Sequence, residues 1–336
     1  MRVLVTGGAG FIGSHTTVEL INSGYDVVVV DNLCNSSEES LNRVKEITGV
    51  LPKFYKVDML DEKALDEIFD AEDIESVIHF AGLKAVGESW EIPLTYFDNN
   101  LKSTLNLLKS MKKHGVRNLV FSSSATVYGK PESVPIREDF PLSVSNPYGR
   151  TKLIIEDMLR DIYTADNSFN IALLRYFNPI GAHESGLMGE DPNGIPNNLV
   201  PYVAKVAAGK LECINVFGND YDTPDGTGVR DYIHVMDLAE GHTAALKKLS
   251  ENPGLVTYNL GTGIGYSVLD VIHAFEKACG KELPYKIAPR RAGDIDECYA
   301  DPKKAREELH WEAKRDLKKM CEDSWRWQSQ NPNGYK

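Results

Sequence analysis

Short apolar runs rich in β-branched residues alternate with longer amphipathic segments along the first half of this chain. The alternation is typical of strands that are buried on both faces between crossover helices. Strands are predicted at residues 2–6, 26–30, 53–57, 76–81, 118–123 and 170–176. Helices are predicted between them, at about residues 12–22, 37–48, 61–70, 99–114 and 147–164. The pattern therefore predicts an α/β fold with a doubly wound parallel sheet.

The second half of the chain has a different pattern. An irregular stretch rich in Pro, Gly and Asn follows residue 178, and helices are predicted near 197–209, 236–249 and 267–279. The tail at about 302–327 is predicted to be helical and packed on the body. We expect residues 1–177 to form the sheet domain. Residues 178–336 are expected to form a smaller mixed α/β domain over the carboxyl ends of the strands, where such folds bind ligands, with some segments returning to the sheet.

Composition narrows the class of ligand. The 336 residues carry 37 Lys and Arg against 49 Asp and Glu, a net charge of −12, and no basic block. Nucleic acid is therefore not an expected partner, and an anionic ligand needs local cations and backbone N–H groups. No apolar run is long enough to cross a bilayer, which makes a membrane partner unexpected. The eight histidines show no HExxH or similar spacing, so no metal site is expected.

The cysteines indicate the compartment. Their number is odd, they are scattered, and none forms a CxxC pair; they are Cys34, Cys213, Cys279, Cys298 and Cys321. Neither a disulfide framework nor a zinc site is suggested. The N-terminal segment begins with a predicted strand and lacks the features of a signal peptide. We expect reduced thiols and a cytoplasmic location.

A glycine-rich turn follows the first predicted strand and opens the first helix, with glycines at Gly7, Gly10 and Gly13. Glycines there allow a tight turn and let the backbone approach a pyrophosphate at the helix N-terminus. Alone the triplet is a weak signal, but Asp31 ends the second strand 18 residues after Gly13, where a carboxylate can bind ribose hydroxyls. These residues predict a Rossmann site that prefers NAD to NADP. Asp58, after the third strand, could cap a helix or contact the adenine.

A tyrosine and a lysine four residues apart follow the fifth strand. Tyr148 and Lys152 share one helix face, and Asn146 with Pro147 predicts the helix start. A phenol acting as a base near neutrality needs its pKa lowered by about 3 units, or about 4 kcal/mol. One ammonium at about 4 Å and an effective dielectric near 20 supplies that much. We therefore expect Lys152 to be sufficient, although an isolated Tyr-x-x-x-Lys more often lies on an ordinary helix face.

Longer motifs extend these signals over nearly the whole chain. They include TGGAGFIG (6–13), HFAGLKAVGES (79–89), SSSATVYG (122–129), LRYFNPIGAH (174–183), GEDPNGIPNNL (189–199), DGTGVRDYIHVMDLAEGH (225–242) and YNLGTG (258–263). With them the sequence resembles the UDP-glucose 4-epimerase family of the extended short-chain dehydrogenase/reductase superfamily. The resemblance implies NAD that is retained through the cycle and regenerated, so that no net oxidation occurs.

The resemblance also implies roles for individual residues. Tyr148 is the base for the sugar 4-hydroxyl, Ser124 hydrogen-bonds that hydroxyl, and Lys152 lowers the pKa of Tyr148 and binds the nicotinamide ribose. The resulting 4-keto sugar turns about its link to the diphosphate and accepts the hydride on its other face. Cofactor contacts are implied for Gly7, Gly10, Phe11, Ile12, Gly13, Asp31, Asn32, Asn35, Asp58, Phe80, Lys84, Asn99, Tyr148, Lys152 and Tyr176.

UDP-hexose contacts are likewise implied by the resemblance, for Ser124, Tyr148, Phe177, Asn178, Asn198, Leu199, Phe217, Arg230, Arg291, Asp294 and Cys298. The two guanidinium groups suit a diphosphate, although Arg291 and Asp294 could simply pair with each other on a surface loop. At the position of Cys298 the family has either a bulky tyrosine or a small residue. A thiol is too small to exclude a 2-acetamido group, so we expect UDP-GalNAc and UDP-GlcNAc to be accepted as well. Cys298 could instead be an inert core thiol.

Three other functions remain open at this stage. Nucleotide-sugar 4,6-dehydratases share the glycine turn and the Tyr/Lys pair but need an acid and a base directly after Ser124, where this chain has Ala125 and Thr126. UDP-glucuronate epimerases need a further cation, for which there is no clear candidate. A non-catalytic NAD-binding regulator would usually lack Tyr148 or Lys152. The resemblance also implies a homodimer formed by helix 99–114 and the helix of Tyr148.

Overall fold

The computed structural model describes residues 1–291 and 293–336. Its strands, in chain order, are β1 (Arg2–Thr6), β2 (Asp26–Asp31), β3 (Lys53–Lys56), β4 (Ser76–His79), β5 (Asn118–Ser122), β6 (Asn170–Tyr176), β7 (Asn178–Ile180), β8 (Ile214–Phe217), β9 (Val229–Arg230), β10 (Tyr232–His234), β11 (Leu255–Leu260), β12 (Tyr266–Ser267), β13 (Tyr285–Ala288) and β14 (Glu297–Cys298). Seven of the described strands form one parallel sheet in the order β11-β6-β5-β4-β1-β2-β3.

The helices connect and cover these strands. They are α1 (Phe11–Asn22), α2 (Glu39–Thr48), α3 (Glu62–Ala71), α4 (Val86–Glu91), α5 (Pro93–Lys113), α6 (Pro147–Ala165), α7 (Leu199–Ala207), α8 (Val235–Leu249), α9 (Val268–Cys279), α10 (Lys303–Leu309) and α11 (Leu317–Gln330), with a 3-10 helix at Ala125–Tyr128. No helix among the described residues has both the length and the apolar character that crossing a membrane requires.

Both faces of the large sheet are buried, as its apolar strands predicted. In β1, Val3 and Val5 belong to the core on one face, whereas Leu4 belongs to the core on the other. Alternate residues of a strand point to opposite faces, so an uninterrupted apolar run is needed wherever both faces carry helices. The doubly wound parallel α/β fold is therefore confirmed.

The second half of the chain contributes to this sheet as well. Strand β11 pairs in parallel with β6 and forms the edge, and α8 packs against α1. The remaining segments form small sheets, β10-β7, β12-β9-β14 and β13-β8, around a separate apolar core. The division into domains 1–177 and 178–336 stays a prediction. Within the second range, residues 235–260 lie with the large sheet.

Several element boundaries differ from the predicted ones. Helix α5 begins at Pro93 rather than at residue 99, since proline is well accommodated in the first turn of a helix. The expected tail helix at 302–327 is two helices. They are separated at His310, whose φ of 52° ends α10, and the indole of Trp311 then donates to the backbone oxygen of Asp237 at 2.9 Å.

Candidate active site

The glycine turn between β1 and α1 is closely packed. Gly7 has a φ of +69°, and a Cβ there would lie 2.8 Å from the backbone nitrogen of Ala81. A Cβ at Gly13 would lie 2.3 Å from the carbonyl oxygen of Gly7. Gly10 precedes α1 without a side chain to cap it, so the first N–H groups of the helix are available to an anion. The turn therefore fits the pyrophosphate of a dinucleotide.

The residues that follow this turn anchor it to the body of the protein. The ring of Phe11 lies edge-on to His15 at 5.1 Å, and Ile12 packs against the core beneath the sheet. Both side chains thus fix the start of α1, and their backbone N–H groups lie in its first turn.

Asp31, at the end of β2, is buried and already accepts hydrogen bonds. Its oxygens accept from the N–H of Ala9 at 3.1 Å, the N–H of Leu33 at 2.9 Å and the hydroxyl of Ser36 at 2.8 Å. A carboxylate has about four acceptor positions, so these contacts leave room for a ribose hydroxyl. They also hold the carboxylate beside the glycine turn.

Asp58 lies close to the same edge of the sheet. One oxygen accepts from the N–H of Leu60 at 2.9 Å and the other from the side-chain amide of Asn32 at 3.0 Å. Asp61, not Asp58, caps α3, so helix capping does not explain Asp58. Asn35 is exposed in the loop between β2 and α2.

The other implied cofactor residues surround the carboxyl ends of β4, β5 and β6. The Phe80 ring lies 4.7 Å from that of His242, and the Lys84 ammonium lies 3.3 Å from Glu190. The Tyr176 hydroxyl hydrogen-bonds the hydroxyl of Ser122, and Asn99 is partly buried on α5, where its amide donates to the side-chain oxygen of Asn100 at 3.0 Å.

The helix that carries Tyr148 begins as predicted. The side chain of Asn146 accepts from the N–H of Gly149 at 2.7 Å, and Pro147 is the first helical residue. Tyr148 and Lys152 are both buried. The Lys152 ammonium donates to the carbonyl oxygen of Ser122 at 2.7 Å and lies 5.9 Å from the centre of the Tyr148 ring.

Burial dominates the acid–base properties of this pair. It raises the pKa of Tyr148 to about 12, against the effect of the nearby Ser124 hydroxyl. Burial also lowers the pKa of Lys152 to about 8, against the effect of the Glu156 carboxylate. The expectation that one ammonium is sufficient to make Tyr148 a base stays a prediction. A positive charge beside the phenol favours its ionised form.

Most of the residues that are implied to contact the diphosphate and the ribose lie close together. The Arg291 guanidinium bonds Asp294 at 2.9 Å and lies over the Phe217 ring at 5.0 Å, while Arg230 lies 3.9 Å from Asp294. The pairing of Arg291 with Asp294 therefore exists, but it forms part of a cluster with a second guanidinium. Such a cluster can exchange its internal ion pairs for a diphosphate.

The other residues that are implied to contact the UDP-hexose come from different elements. Phe177 is buried directly after β6, Asn178 begins β7, and Asn198 with Leu199 starts α7. Cys298 lies opposite Arg230 in the β14–β9 pairing and packs against the cluster that contains Phe177. Burial raises the pKa of its thiol to about 11, so the group is uncharged near neutrality.

Sequence reasoning missed two carboxylates at this site. Glu190 accepts from Lys84 and from Asn198, each at 3.3 Å, and so links an implied cofactor residue to an implied substrate residue. Glu156 is buried beside Lys152 on α6. Its position two turns after Tyr148 on the same helix face was the available signal.

Comparison with known proteins finds relatives over nearly the whole chain. Residues 4–324 match the family model described as GDP-mannose 4,6 dehydratase. A UDP-glucose 4-epimerase of Bacillus subtilis is 67% identical over 336 residues, which cover 100% of this chain and 99% of the relative.

Solved structures are also similar. The UDP-glucose 4-epimerase of Bifidobacterium longum, in complex with NAD+ and UDP, superposes with a TM-score of 0.97 at 59% identity, covering 99% of this chain and 100% of that one. The UDP-Glc/GlcNAc 4-epimerase of Campylobacter jejuni gives a TM-score of 0.85 at 37% identity, with 98% and 99% covered. The chain therefore belongs to the UDP-glucose 4-epimerase family of the extended short-chain dehydrogenase/reductase superfamily.

Proposed function

We propose that the protein interconverts UDP-galactose and UDP-glucose by inverting carbon 4 of the sugar through a transient 4-keto intermediate, with NAD as its cofactor. The observation that carries this proposal is the meeting of Tyr148, Lys152 and the serine segment with Ser124 at the end of β5, in a chain 67% identical to a UDP-glucose 4-epimerase. NAD, when bound, accepts a hydride from carbon 4 and returns it, so the enzyme is an isomerase.

The residues of the chain supply binding and proton transfer. Gly7, Gly10 and Gly13 allow the turn to close tightly, so that the first N–H groups of α1 are available to the pyrophosphate, and Asp31 has an acceptor position for the ribose. Tyr148 takes the proton from the sugar 4-hydroxyl and later returns it. Ser124 holds that hydroxyl against the phenol. Bound beside the phenol, the nicotinamide ring of oxidised NAD would supply a positive charge that favours the ionised form of Tyr148.

Dehydration fits the site less well. Ser124 is followed by Ala125 and Thr126, which form the start of a 3-10 helix and carry neither a carboxyl group nor an amine. Elimination of water across carbons 5 and 6 needs an acid and a base there. The dehydratase description of the matching family model therefore does not transfer to this chain as an activity.

N-acetylated sugars are proposed as further substrates. Cys298 packs against the apolar cluster that contains Phe177, and its uncharged thiol is much smaller than the tyrosine that other family members have at this position. The Campylobacter jejuni relative is described as acting on both UDP-Glc and GlcNAc forms. A pocket rejects an added acetamido group by steric clash, which a thiol does not provide.

A homodimer is proposed from the surface of α5. Leu94 and Leu105 lie three turns apart on one face of this helix and are 83% and 43% exposed. α5 packs beside α6, so two copies can bring these helices together as a four-helix bundle. A second copy of the chain is the partner that would cover this apolar face.

The compartment is proposed to be the cytosol. All five cysteines are free thiols, which is typical of a reducing compartment. Neither nucleic acid nor a membrane surface is proposed as a partner, because the chain is acidic overall.

The function is tested by adding UDP-galactose and UDP-GalNAc separately to the purified protein, without added cofactor, and following the anomeric protons by NMR. Conversion of both supports the proposal with retained NAD and an open pocket at Cys298. Conversion of UDP-galactose alone rejects the N-acetyl part. Conversion of neither, even with NAD added, rejects the catalytic assignment and favours a non-catalytic NAD-binding protein.

A further inference from the structure

Three consecutive serines meet three residues of one helix face at the end of β5. Tyr148, Lys152 and Glu156 are spaced four residues apart on α6 and are all buried. The Ser124 hydroxyl lies near the Tyr148 phenol, the Ser122 carbonyl accepts from Lys152 at 2.7 Å, and the Ser123 hydroxyl donates to Glu156 at 2.5 Å. Each of the three consecutive serines therefore contacts one of three residues that are spaced four apart on α6, in one case through its backbone carbonyl.

Glu156 is also held from the neighbouring strand. Arg175 of β6, itself buried, donates to both carboxylate oxygens, at 3.0 and 2.7 Å, and Arg160 donates at 2.7 Å. Bidentate pairing of this kind fixes orientation as well as charge. The next residue, Tyr176, bonds the hydroxyl of Ser122. A closed ring of contacts therefore joins α6, β5 and β6.

We propose, given the epimerase activity above, that Glu156 is a positioning residue whose carboxylate locks the serine strand end onto the catalytic helix and keeps the Lys152 ammonium charged. Burial alone would raise the pKa of Glu156, but Arg175 lowers it below its usual value, so the carboxylate is ionised at neutral pH. Its negative charge in turn opposes the effect of burial on Lys152.

The other titratable groups around Lys152 do not supply this charge. His79 on β4 is buried, and burial lowers its pKa to about 3, so it is neutral. Burial raises the pKa of Tyr176 on β6 and, before NAD binds, that of Tyr148 on α6, so both phenols are neutral in that state. Arg175 stays positive. Among the described residues that face Lys152, Glu156 is therefore the source of negative charge while the Tyr148 phenol is protonated.

The decisive variant is Glu156→Gln, compared with Asp157→Asn on the same helix. Both remove one carboxylate that pairs with Arg160, but Asp157 is exposed. On the alkaline side of the pH profile, kcat falls as Lys152 loses its proton, and we call this fall the alkaline limb. In Glu156→Gln we expect the alkaline limb to lie about one pH unit lower, because Lys152 loses its proton at a lower pH when the carboxylate is absent. Asp157→Asn should leave the limb where the unmodified protein has it, since an exposed charge is screened.

A second readout does not depend on activity. The pH dependence of Lys152 acetylation by acetic anhydride, measured by mass spectrometry, reports the free amine, because burial of the side chain slows the reaction but the midpoint still follows loss of the proton. Its midpoint should move in the same direction in Glu156→Gln. An unmoved limb and an unmoved midpoint, together with a lower kcat, would assign Glu156 a structural role only and overturn the proposal.

Glu156→Gln leaves Arg175 buried without its counter-charge and can fail to fold. Ser123→Ala then tests the positioning part, because it removes one contact and keeps the charge. We expect kcat to fall about tenfold, the value of one charge-assisted hydrogen bond, with KM and the alkaline limb unchanged. An unchanged kcat would contradict the proposal. If the unmodified protein converts no sugar, the acetylation profile still decides the charge of Lys152.

Discussion

The Lys152 ammonium is bound to the Ser122 carbonyl oxygen at 2.7 Å, so it is fixed to the strand end and not to the phenol of Tyr148. The ammonium lies 5.9 Å from the centre of the Tyr148 ring. The charge state of the Lys152 ammonium therefore affects the chemistry of the site.

The first prediction concerns pH. Burial lowers the pKa of Lys152 to about 8, so the ammonium is charged below that pH and neutral above it. Activity that needs the charged form should fall as pH rises through about 8. The measurement is kcat for UDP-galactose from pH 6 to 10. A profile that is flat across this range would show that Lys152 need not be charged.

The second prediction concerns the base. Tyr148→Phe keeps the ring in its buried position but removes the group that exchanges the proton. We expect kcat to fall by about 10²- to 10⁴-fold. NAD content, read from absorbance after denaturation, should be unchanged. A variant that loses NAD as well as activity would instead assign Tyr148 a mainly binding role.

The third prediction concerns the glycine turn. In Gly13→Ala the new methyl group would lie 2.3 Å from the carbonyl oxygen of Gly7. The backbone must shift, so NAD should be lost and the Tm should no longer rise when NAD is added. Gly87→Ala is the matched control, because nothing lies within 4 Å of its Cβ position. Equal NAD affinity in both variants would contradict the site.

The fourth prediction concerns sugar specificity. In Cys298→Tyr a bulky ring replaces the thiol beside Phe177. Turnover of UDP-GalNAc should fall by more than about tenfold, while that of UDP-galactose should change little. Cys298→Ser, which is similar in size, should retain both reactions. The proposal fails if the tyrosine variant converts both sugars as the unmodified protein does.

The fifth prediction concerns assembly. Leu105→Arg places a charge on the exposed apolar face of α5, where Leu105 is 43% exposed. Sedimentation should show a dimer for the unmodified protein and a monomer for this variant, because burying an unpaired charge is unfavourable. Leu51→Arg, at a residue that is 53% exposed outside the helices, should remain dimeric. If the unmodified protein and both variants are all dimers, the interface does not include Leu105.

The sequence determined those features that depend on local spacing. The apolar strands, the glycine turn and the Asn146–Pro147 helix start need only neighbouring residues, because strand and helix periods and backbone sterics are local properties. The Tyr148–Lys152 pair is equally local. The long family motifs added the chemistry and the cofactor.

The tertiary structure decided the features that join distant segments. β11 pairs with β6 although 78 residues or more separate them, and no period within either strand specifies that pairing. The direction of the Lys152 ammonium depends on where β5 ends, and the charge that supports it depends on Glu156 and Arg175 from two elements. Burial sets the pKa values of Tyr148 and Lys152, and these side chains become buried only when the elements pack together. A local sequence pattern does not specify the solvent exposure of a side chain in the folded site.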